Sequence, residues 1–435
     1  MAKGLIQATP SAARLTRSLR DIGYDFVSAV ADIVDNSIAA EASEIAVEIE
    51  FAGDESYVVI ADNGFGMTGG GANEALRFGT RRSYKGGDLG RYGLGLKTAS
   101  LSQARSLTLV TRSAERSRGV RRTLDLDLVE RYDDWVIAEA PSDDAVRRAE
   151  KLLGSSAGTV VIWQKLDRVL PSSGSTGGWA KRRFENLTQK TRSHLSMVFH
   201  RFLAGENGVQ RISISVNGDK LDPWDPFVRH EVATQTMAPQ EFELEHSGGV
   251  GNVVLSRYIL PGKRTFSSHE AFDAAAGPLN WNRQQGLYIY RENRLVQWGS
   301  WAGTRGIDEH TKLARASLDF GNELDSVFNI NVAKMRVTIP GQLKQMIERP
   351  VSELCILADH TYRRQNGDRE PNDDSQVDVT IEPKSSERSS NTNAAELGLA
   401  LKSAAIQAGQ YEVLRAIIDL VRQQNPDVAD ALGFN

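Results

Sequence analysis

Three short runs of polar residues and glycines, in fixed order near the start of the chain, most constrain what it can fold into. They are Asp32 to Ser37 (D-I-V-D-N-S), Asp62 to Met67 (D-N-G-F-G-M) and Gly90 to Lys97 (G-R-Y-G-L-G-L-K). Such runs are typical of helix ends and loops that meet at a ligand. The phosphate-binding loop G-x-x-x-x-G-K-[ST] does not occur, because Lys97 and Thr98 follow their glycines at the wrong spacing. A nucleotide would therefore have to be held in another way.

The composition predicts a globular protein with more than one domain. A length of 435 residues is typical of two or three domains, and 40% hydrophobic residues can fill a sizeable core. The formal net charge of -4 gives no overall basic signal of the kind that marks many nucleic-acid-binding proteins. Any contact with DNA would have to come from a local patch.

We expect a cytoplasmic protein without a membrane span. Cys355 is the single cysteine of the sequence, which excludes an intramolecular disulfide and fits a reducing compartment. The first residues alternate apolar and basic side chains without the continuous apolar stretch of a secretion signal. No run of about 18 apolar residues occurs that would cross a bilayer.

Hydrophobic periodicity predicts a first α/β domain over residues 1–183. Helices are expected at 11–19, 26–40, 73–78 and from 93 to 102, because apolar residues recur there at helical spacing. Strands are expected at 44–51, 57–61, 106–112, 121–128 and 158–163. The glycine-rich and basic segment 68–87 is predicted to be a mobile lid.

The remaining sequence predicts three further segments. Residues 184–365 are expected to form a second α+β domain, with a helix at 184–203 and strands at 211–217, 249–259, 286–290 and 328–331. Residues 366–393 are rich in Asp, Ser, Asn and Pro with few large apolar side chains, which predicts a disordered linker. Residues 394–435 are predicted to be a helical C-terminal element.

The first run places two oxygen-bearing side chains on one face of a predicted helix. Asp32 and Asn36 are four residues apart and therefore lie one above the other. The amide oxygen of Asn36 suits Mg²⁺, which also takes oxygens from substrate phosphates. Asp32 could accept a proton from an attacking water as a general base. Taken alone, such a pair more often does no more than solvate a helix face.

The second run favours recognition of a base by a carboxylate. Asp62 could accept a hydrogen bond from an adenine amino group, while Gly64 and Gly66 allow close approach of the backbone. Met67 ends the run. The alternative is an ordinary turn between two strands, for which D-N-G is well suited.

The third run favours phosphate binding. Gly90, Gly93 and Gly95 precede a helix and could place backbone N–H groups and the positive helix end against phosphates, with Lys97 either adding a charge or solvating the helix. The predicted contacts of this run also include the intervening residues Arg91, Tyr92, Leu94 and Leu96. A lone glycine triplet is weak support, whereas three such runs in order are improbable by chance.

Together the three runs resemble the GHKL superfamily of ATPases, named for gyrase, the heat-shock chaperone, histidine kinases and MutL, whose ATP-binding module is the Bergerat fold. The resemblance implies ATP and Mg²⁺ as cofactors and an α+β protein with an N-terminal Bergerat-type α/β sandwich. It implies that Asp32 is the general base, that Asn36 binds Mg²⁺ and that Asp62 with Gly64 and Gly66 reads adenine. The glycines of the third run would close over the phosphates.

Within that superfamily the chain looks most like the Microrchidia (MORC) ATPases. R-F-G-T-R-R-S-Y-K before the third run and G-T-V-V-I-W at 158–163 carry this resemblance, and the latter implies a nucleotide contact by Thr159. Tyr288 to Leu295 (Y-I-Y-R-E-N-R-L) resembles the transducer domain of that branch. Such domains send a cation to the γ-phosphate, and here Lys334 is the first candidate and Arg336 the second.

Two departures from the family pattern bear on activity. The general base is usually glutamate, and Asp32 is one methylene shorter, which places its carboxylate roughly 1.5 Å further from the attacking water. Ala39 stands where an acidic residue often follows the asparagine. We therefore expect a slow Mg²⁺-dependent ATPase that works as a conformational switch, with lid closure and dimerisation of the first domain. The alternative is an ATP-sensing module with negligible hydrolysis.

A histidine kinase is a weaker hypothesis, because residues 1–31 contain no histidine to receive a phosphoryl group. The family resemblance also implies a homodimer, and a role linked to DNA, to a nuclease or helicase partner, or to defence against phage. Basic runs at 81–82, 112–122 and 181–183 could contact DNA phosphates, although solvated faces are the more common outcome for such runs.

Overall fold

The computed structural model describes residues 10–21, 23–78, 95–114, 119–140, 142–170, 177–246, 248–330, 337–367, 398–406 and 409–434. Within these ranges the chain forms two β-sheets, each packed against helices, and a small helical element near the C-terminal end. This mixed architecture confirms the α+β class that the sequence predicted.

The first sheet is built from strands between residues 44 and 220. They are β1 (Glu44–Glu50), β2 (Tyr57–Asp62), β3 (Ser106–Arg112), β4 (Val120–Asp125), β5 (Gly158–Gln164), β6 (Ser213–Val216) and β7 (Asp219–Lys220). Their order across the sheet is β4-β3-β5-β2-β1-β6-β7. Strands β1 and β6 are parallel, and the other neighbouring pairs are antiparallel.

Helices accompany this sheet along the chain. They are α1 (Ala12–Arg20), α2 (Phe26–Ala39), α3 (Gly69–Leu76), α4 (Gly95–Gln103), α5 (Leu126–Tyr132), α6 (Asp144–Leu153), α7 (Gly178–Val198) and α8 (His200–Ala204). Helix α2 packs against α4, α7 and strand β2, so it lies inside the helical layer on one face of the sheet.

Both faces of the central strands are buried. On β2, Val58 and Ile60 belong to the core shared with α2, whereas Val59 and Ala61 belong to the core shared with α6. Successive side chains of a strand point to opposite faces, so one strand contributes to both cores. The result is a sandwich in which the sheet lies between α6 and the layer that contains α2.

The second sheet follows in sequence. Its strands are β8 (Gln235–Thr236), β9 (Gln240–His246), β10 (Gly249–Ile259), β11 (Gly286–Arg291), β12 (Arg294–Gln297) and β13 (Ala314–Phe320). The order is β12-β11-β13-β10-β8, with β9 also paired to β10. Helices α9 (His269–Ala275) and α10 (Asn280–Gln284) precede β11, and α11 (Gly341–Gly367) packs on the sheet through Leu343, Ile347 and Leu354.

The C-terminal element contains three helices among the described residues: α12 (398–406), α13 (Tyr411–Gln424) and α14 (Pro426–Ala431). Helices α13 and α14 enclose a small core of Ile418, Ala429 and Phe434. Gly409, with φ +69°, lies between α12 and α13 and interrupts the helical run that the sequence predicted. The predicted linker falls outside the described residues except for its first two residues, which end α11.

Two predicted strands differ from the structure. The strand expected at 121–128 ends at Asp125, because the carboxylate of Asp125 accepts a hydrogen bond from the backbone N–H of Asp127 and caps α5. The strand expected at 328–331 does not form over residues 328–330, which the structure describes, and the N–H of Phe328 bonds back to the carbonyl of Leu324 in a turn.

The predicted boundary between residues 183 and 184 lies inside α7. Strands β6 and β7, which come after it, extend the first sheet, and Leu221 belongs to the core of that sheet. We propose that the first domain extends to Leu221, because sheet and core are then kept whole.

Candidate functional site

Helix α2 carries the first polar run and buries most of it. The Asp25 carboxylate accepts a hydrogen bond from the N–H of Ser28 and fixes the helix start. Asp32 and Asp35 are 3% and 1% exposed, whereas Asn36 is exposed. An exposed amide one turn after a buried carboxylate fits a Mg²⁺ ligand that also needs access to water and phosphate oxygens.

The phenol of Tyr24 fixes one oxygen of Asp32. Tyr24 Oη donates a hydrogen bond to Asp32 Oδ2 at 2.8 Å, and the Thr98 hydroxyl bonds to the same phenol oxygen. Burial raises the pKa of Tyr24 far above its usual 10.0, and the charge of Asp32 raises it further. Tyr24 therefore stays protonated at physiological pH and remains a donor to Asp32.

A cation from the second sheet reaches the same helix. Arg294, the first residue of β12, places Nε 2.9 Å from Asp35 Oδ1 and Nη2 3.7 Å from Asp32 Oδ1. Arg294 is 4% exposed. Sequence reasoning missed this pair, because Asp35 and Arg294 are 259 positions apart and their proximity depends on how the two sheets pack.

The carboxylate of Asp62 ends β2 and is held by uncharged donors. Oδ2 accepts from Ser37 Oγ at 3.0 Å, and Oδ1 accepts from the N–H groups of Gly64 at 3.0 Å and Thr159 at 3.2 Å. Burial raises the pKa of Asp62 above its usual 3.8, while these three hydrogen bonds act in the opposite direction. Ser37 links the first polar run directly to the second.

Two threonines extend this network under the loop after β2. Thr159 Oγ1 lies 3.0 Å from Thr111 Oγ1, and Thr111 Oγ1 accepts from the N–H of Met67 at 2.9 Å. Thr159 is thus in place beside Asp62, as a nucleotide contact at this position would require. Thr111 was missed, because a threonine inside an apolar strand gives no signal in a sequence.

The glycines of the second run are required by the protein backbone itself. Gly66 has φ +64°, and a β-carbon there would lie 1.9 Å from the carbonyl oxygen of Arg112. At Gly64 a β-carbon would lie 2.5 Å from the carbonyl oxygen of Ala40. The loop is therefore packed tightly onto its neighbours, and its conformation is set before any ligand binds.

The third run is described only from Gly95 onwards. Gly90, Arg91, Tyr92, Gly93 and Leu94 lie outside the described residues. A β-carbon at Gly95 would lie 3.9 Å from Asp32 Oδ2, so the N-terminal end of α4 adjoins Asp32. Backbone N–H groups at such an end favour an anion.

Lys97 is buried rather than solvated. It is 1% exposed, and Nζ donates to the carbonyl oxygen of Ala75, near the end of α3, at 2.9 Å. Burial lowers the pKa of Lys97 to about 8. The interpretation that Lys97 only solvates its helix is therefore wrong, and in this structure the ammonium group ties α4 to α3.

Several predicted cations are outside the described residues or already paired. Lys334 and Arg336 lie outside the described ranges, as do Arg81, Arg82 and Arg118. In the basic run 112–122, Arg121 lies 3.3 Å from Glu150 and Arg122 lies 3.7 Å from Glu139. Both arginines are thus engaged within the first domain.

The three polar runs and β5 therefore meet at α2. Ser37 joins the first run to Asp62, Thr159 joins β5 to Asp62, and Gly95 brings α4 beside Asp32. The arrangement offers a carboxylate acceptor at one end, an exposed amide oxygen in the middle, and a buried carboxylate beside a helix N-terminus at the other end.

Comparison with known proteins agrees with this geometry. Residues 24–159 match the family model described as histidine kinase-, DNA gyrase B- and HSP90-like ATPase. This part of the chain is therefore similar to the ATP-binding domain of GHKL-type ATPases, in agreement with the resemblance of the three runs.

The similarity of one curated relative agrees with the resemblance of the chain to MORC ATPases. The ATPase morc-1 of Caenorhabditis elegans is 36% identical over 88 residues, which cover 20% of this chain and 10% of the relative. The likeness thus spans about a tenth of the relative's length.

Among the helices that the structure describes, none has both the length and the apolar character required to cross a lipid bilayer.

Proposed function

We propose that this protein binds ATP with Mg²⁺ at the site on α2 and hydrolyses it slowly as a conformational switch. The observation that carries the proposal is the convergence of Asp32, Asn36 and Asp62 in a domain of GHKL type. Each side chain has the chemistry that its position along a bound nucleotide would demand.

Asp62 would bind the adenine. Its carboxylate is held in one orientation by Ser37, Gly64 and Thr159, and a fixed acceptor suits an amino group such as the one on adenine. Guanine presents a carbonyl oxygen at the corresponding position, which a carboxylate would repel. The site should therefore prefer adenine over guanine nucleotides.

Asn36 and Asp32 would act at the phosphate end. The exposed amide oxygen of Asn36 would bind Mg²⁺ together with phosphate oxygens. Asp32 would take the proton from the attacking water, with Tyr24 fixing its orientation. The short side chain of Asp32 is the reason to expect slow turnover. Backbone N–H groups of the third run, including Gly90 and Gly93, would bind the phosphates, and Lys334 would reach the γ-phosphate.

The switch would link nucleotide occupancy to closure of the lid predicted over 68–87 and to pairing of two copies of the first domain. A cation supplied by the second domain makes its docking depend on the third phosphate. The direct measure of this step is the oligomeric state with ADP compared with a non-hydrolysable ATP analogue. A mass that is the same with both nucleotides would contradict ATP-gated pairing.

The test of the proposal is ATP turnover and nucleotide affinity for the wild type, Asp32→Ala and Asn36→Ala. We expect Asp32→Ala to lose turnover and keep ATP binding, and Asn36→Ala to lose Mg²⁺-dependent binding. Asn186→Ala is the matched control, because Asn186 of α7 is also an exposed helical asparagine of the first domain and lies outside the proposed site. Unchanged turnover in Asp32→Ala and unchanged affinity in Asn36→Ala would contradict the assigned roles.

A second candidate function is ATP sensing without appreciable hydrolysis. The observation that favours it is the hydrogen bond from Tyr24 to Asp32, which directs an already short carboxylate into the protein. Tight binding of ATP by a wild type that shows no turnover would support this function. Asp32→Glu, which restores the missing methylene, should then create measurable turnover.

A role on DNA, with a nuclease or helicase partner, would require Arg121 and Arg122 to exchange Glu150 and Glu139 for DNA phosphates, and both ion pairs are partly exposed to solvent. Retention of the wild type on DNA at low salt is the test. A loss of retention in an Arg118→Ala, Arg121→Ala, Arg122→Ala variant would support a contact at this run.

A further inference from the structure

The contact between Arg294 and α2 joins the two main regions of the molecule at the candidate site. Arg294 begins β12, an edge strand of the second sheet, whereas Asp32 and Asp35 are buried on α2 of the first domain. The two aspartates are three residues apart and thus share one face of the helix. A single guanidinium of the second domain therefore faces both carboxylates.

The two carboxylates are held by Arg294 in different ways. Asp35 receives Nε within hydrogen-bond distance of both its oxygens, at 2.9 and 2.8 Å. The Nη2 group lies 3.7 Å from Asp32 Oδ1, which exceeds a hydrogen bond and acts through charge. Asp35 is thus the anchor of the guanidinium, and Asp32 is restrained by it.

The opposite side of the Asp32 carboxylate is held from within the first domain. Tyr24 Oη donates to Oδ2, while Arg294 faces Oδ1. One restraint is intrinsic to the first domain, whereas the other exists only when the second domain is docked on α2. The direction of the Asp32 carboxylate thereby depends on the position of the second domain.

We propose that Arg294 is a positioning residue through which the second domain orients Asp32 for hydrolysis. This inference rests on the proposed function, in which Asp32 is the general base. Arg294 does not touch the nucleotide in this role. It sets the geometry of the base, and a displacement of the base by about 1 Å is enough to slow a reaction about 100-fold.

The chain contains a matched control for this role. Arg201 of α8 forms an ion pair with Asp319 of β13, so it also crosses between the first and second regions. Arg201 is 5% exposed, close to the 4% of Arg294. The Cζ atom of Arg201 lies 3.5 Å from the centroid of the Tyr290 ring. Arg201 therefore contacts β11 and not α2. Replacing each arginine by lysine keeps the charge and removes the planar fork.

The experiment uses the full chain as wild type, Asp32→Ala, Arg294→Lys and Arg201→Lys. The kcat, the KM for ATP and the Kd of a non-hydrolysable ATP analogue are measured for each. We expect Arg294→Lys to lower kcat about 10- to 100-fold with the Kd changed less than about threefold, because the base is misplaced while the nucleotide contacts remain. Arg201→Lys should keep kcat within about twofold.

Asp35→Asn provides an independent approach from α2, should Arg294→Lys fail to fold. It weakens the anchor of Arg294 without changing Asp32, and it should reproduce the loss in kcat at unchanged Kd. Equal loss of kcat in Arg294→Lys and Arg201→Lys would overturn the inference, because docking in general would then be responsible. An unchanged kcat in Arg294→Lys would also overturn it.

Different results would show that the proposed function itself is wrong. Turnover that survives in Asp32→Ala would contradict the assigned base whatever Arg294 does. A wild type that binds ATP and shows no turnover would overturn the hydrolytic proposal and, with it, the positioning role of Arg294.

Discussion

The two carboxylates at the ends of the candidate site, Asp62 and Asp32, are held in contrasting ways. Asp62 accepts hydrogen bonds from a serine hydroxyl and two backbone N–H groups, all within the first domain. Asp32 lies between a phenol of the first domain and a guanidinium of the second. One end of the site is thus complete within a single domain, whereas the other requires two.

This difference suggests that the two ends of the site respond differently to movement of the second domain. Uncharged donors fixed by the backbone give a rigid acceptor that changes little with the state of the protein. A charge delivered by another domain responds whenever that domain moves. Recognition of the base would then be constant, and the chemistry at the phosphates would depend on domain arrangement.

We expect the largest effect on stability from removal of Arg294, which forms the ion pair with Asp35 at the Asp32 end of the site. Arg294→Met removes the hydrogen-bonded guanidinium from the buried carboxylate of Asp35 and should lower the free energy of unfolding by about 3–5 kcal/mol. Urea denaturation measures this. The double variant Arg294→Met, Asp35→Asn removes the charge together with the cation and should recover much of the loss. A loss below about 1 kcal/mol in the single variant would mean that the pair is solvated.

At the Asp62 end of the site, we expect the largest loss of stability from a substitution that changes the backbone of the loop after β2. In Gly66→Ala the new β-carbon meets the Arg112 carbonyl, so we expect a loss of about 2–4 kcal/mol and weaker ATP binding. Gly154→Ala is the control, because Gly154 also has a positive φ, +57°, and nothing lies within 4 Å of the added carbon. It should cost about 1–3 kcal/mol for the backbone conformation alone and leave ATP affinity unchanged. Equal effects of the two variants would contradict the close packing of the loop.

Asp62→Asn should change the affinity for ATP while leaving the stability of the protein nearly unchanged. The asparagine can keep its oxygen toward Gly64 and Thr159 and turn its amide toward Ser37, so stability should change by less than about 1 kcal/mol. The amide would then face the adenine amino group, donor against donor, and ATP affinity should fall about 100-fold. Calorimetric titration measures the affinity. ATP binding as tight as in the wild type would remove Asp62 from the adenine contact.

The pH dependence of binding follows from the pKa of Asp62. Because burial raises this pKa above 3.8, the carboxylate loses its charge at a higher pH than an exposed aspartate would. Protonation favours the folded state, so this contribution to stability is fully present below 3.8 and is lost as the pH rises through the folded-state pKa. Adenine affinity should show the opposite trend and fall with decreasing pH, and this fall should be absent in Asp62→Asn.

We expect the smallest effect on stability from the uncharged hydrogen bond between His200 and Tyr290, which joins the two regions. His200 of α8 is fully buried with Nε2 2.8 Å from Tyr290 Oη, and burial lowers the pKa of His200 to about 3. The unfolded chain binds this proton near pH 6.5, so stability is retained above that pH and lost as the pH falls below it. His200 should account for about 2 kcal/mol of the loss between pH 7 and pH 5.

Denaturation at both pH values measures this loss. His200→Gln keeps a polar partner for Tyr290 and removes the titration, so its stability should fall about 2 kcal/mol less over the same interval. The same fall in both proteins would show that His200 is protonated in the folded state.

The sequence predicted the elements whose cause is local. Strand β10 and strand β3 match their predicted ranges, because their alternation of apolar residues is decided by neighbours in sequence. Helix α6 and strand β13 were not predicted. The start of α6 depends on a cap by Asp143, and β13 has the mixed composition A-R-A-S-L-D-F with a fully buried arginine.

The same distinction holds at the candidate site. Asp32, Asn36 and Asp62 could be singled out because each stands in a short run with recognisable spacing. Arg294, Tyr24 and Thr111 could not, because their roles arise from packing between elements that are far apart or unmarked in the sequence. Burial of Lys97 under α3 is likewise a tertiary effect.

A crystal structure of the full chain with Mg²⁺ and a non-hydrolysable ATP analogue would show which residues bind each part of the nucleotide. We expect the adenine amino group within hydrogen-bond distance of the Asp62 carboxylate, Mg²⁺ on the Asn36 amide oxygen, and the γ-phosphate beside Asp32 with Arg294 still on Asp35. A nucleotide bound with its adenine away from Asp62, or with its phosphates away from the N-terminal end of α4, would contradict this expectation.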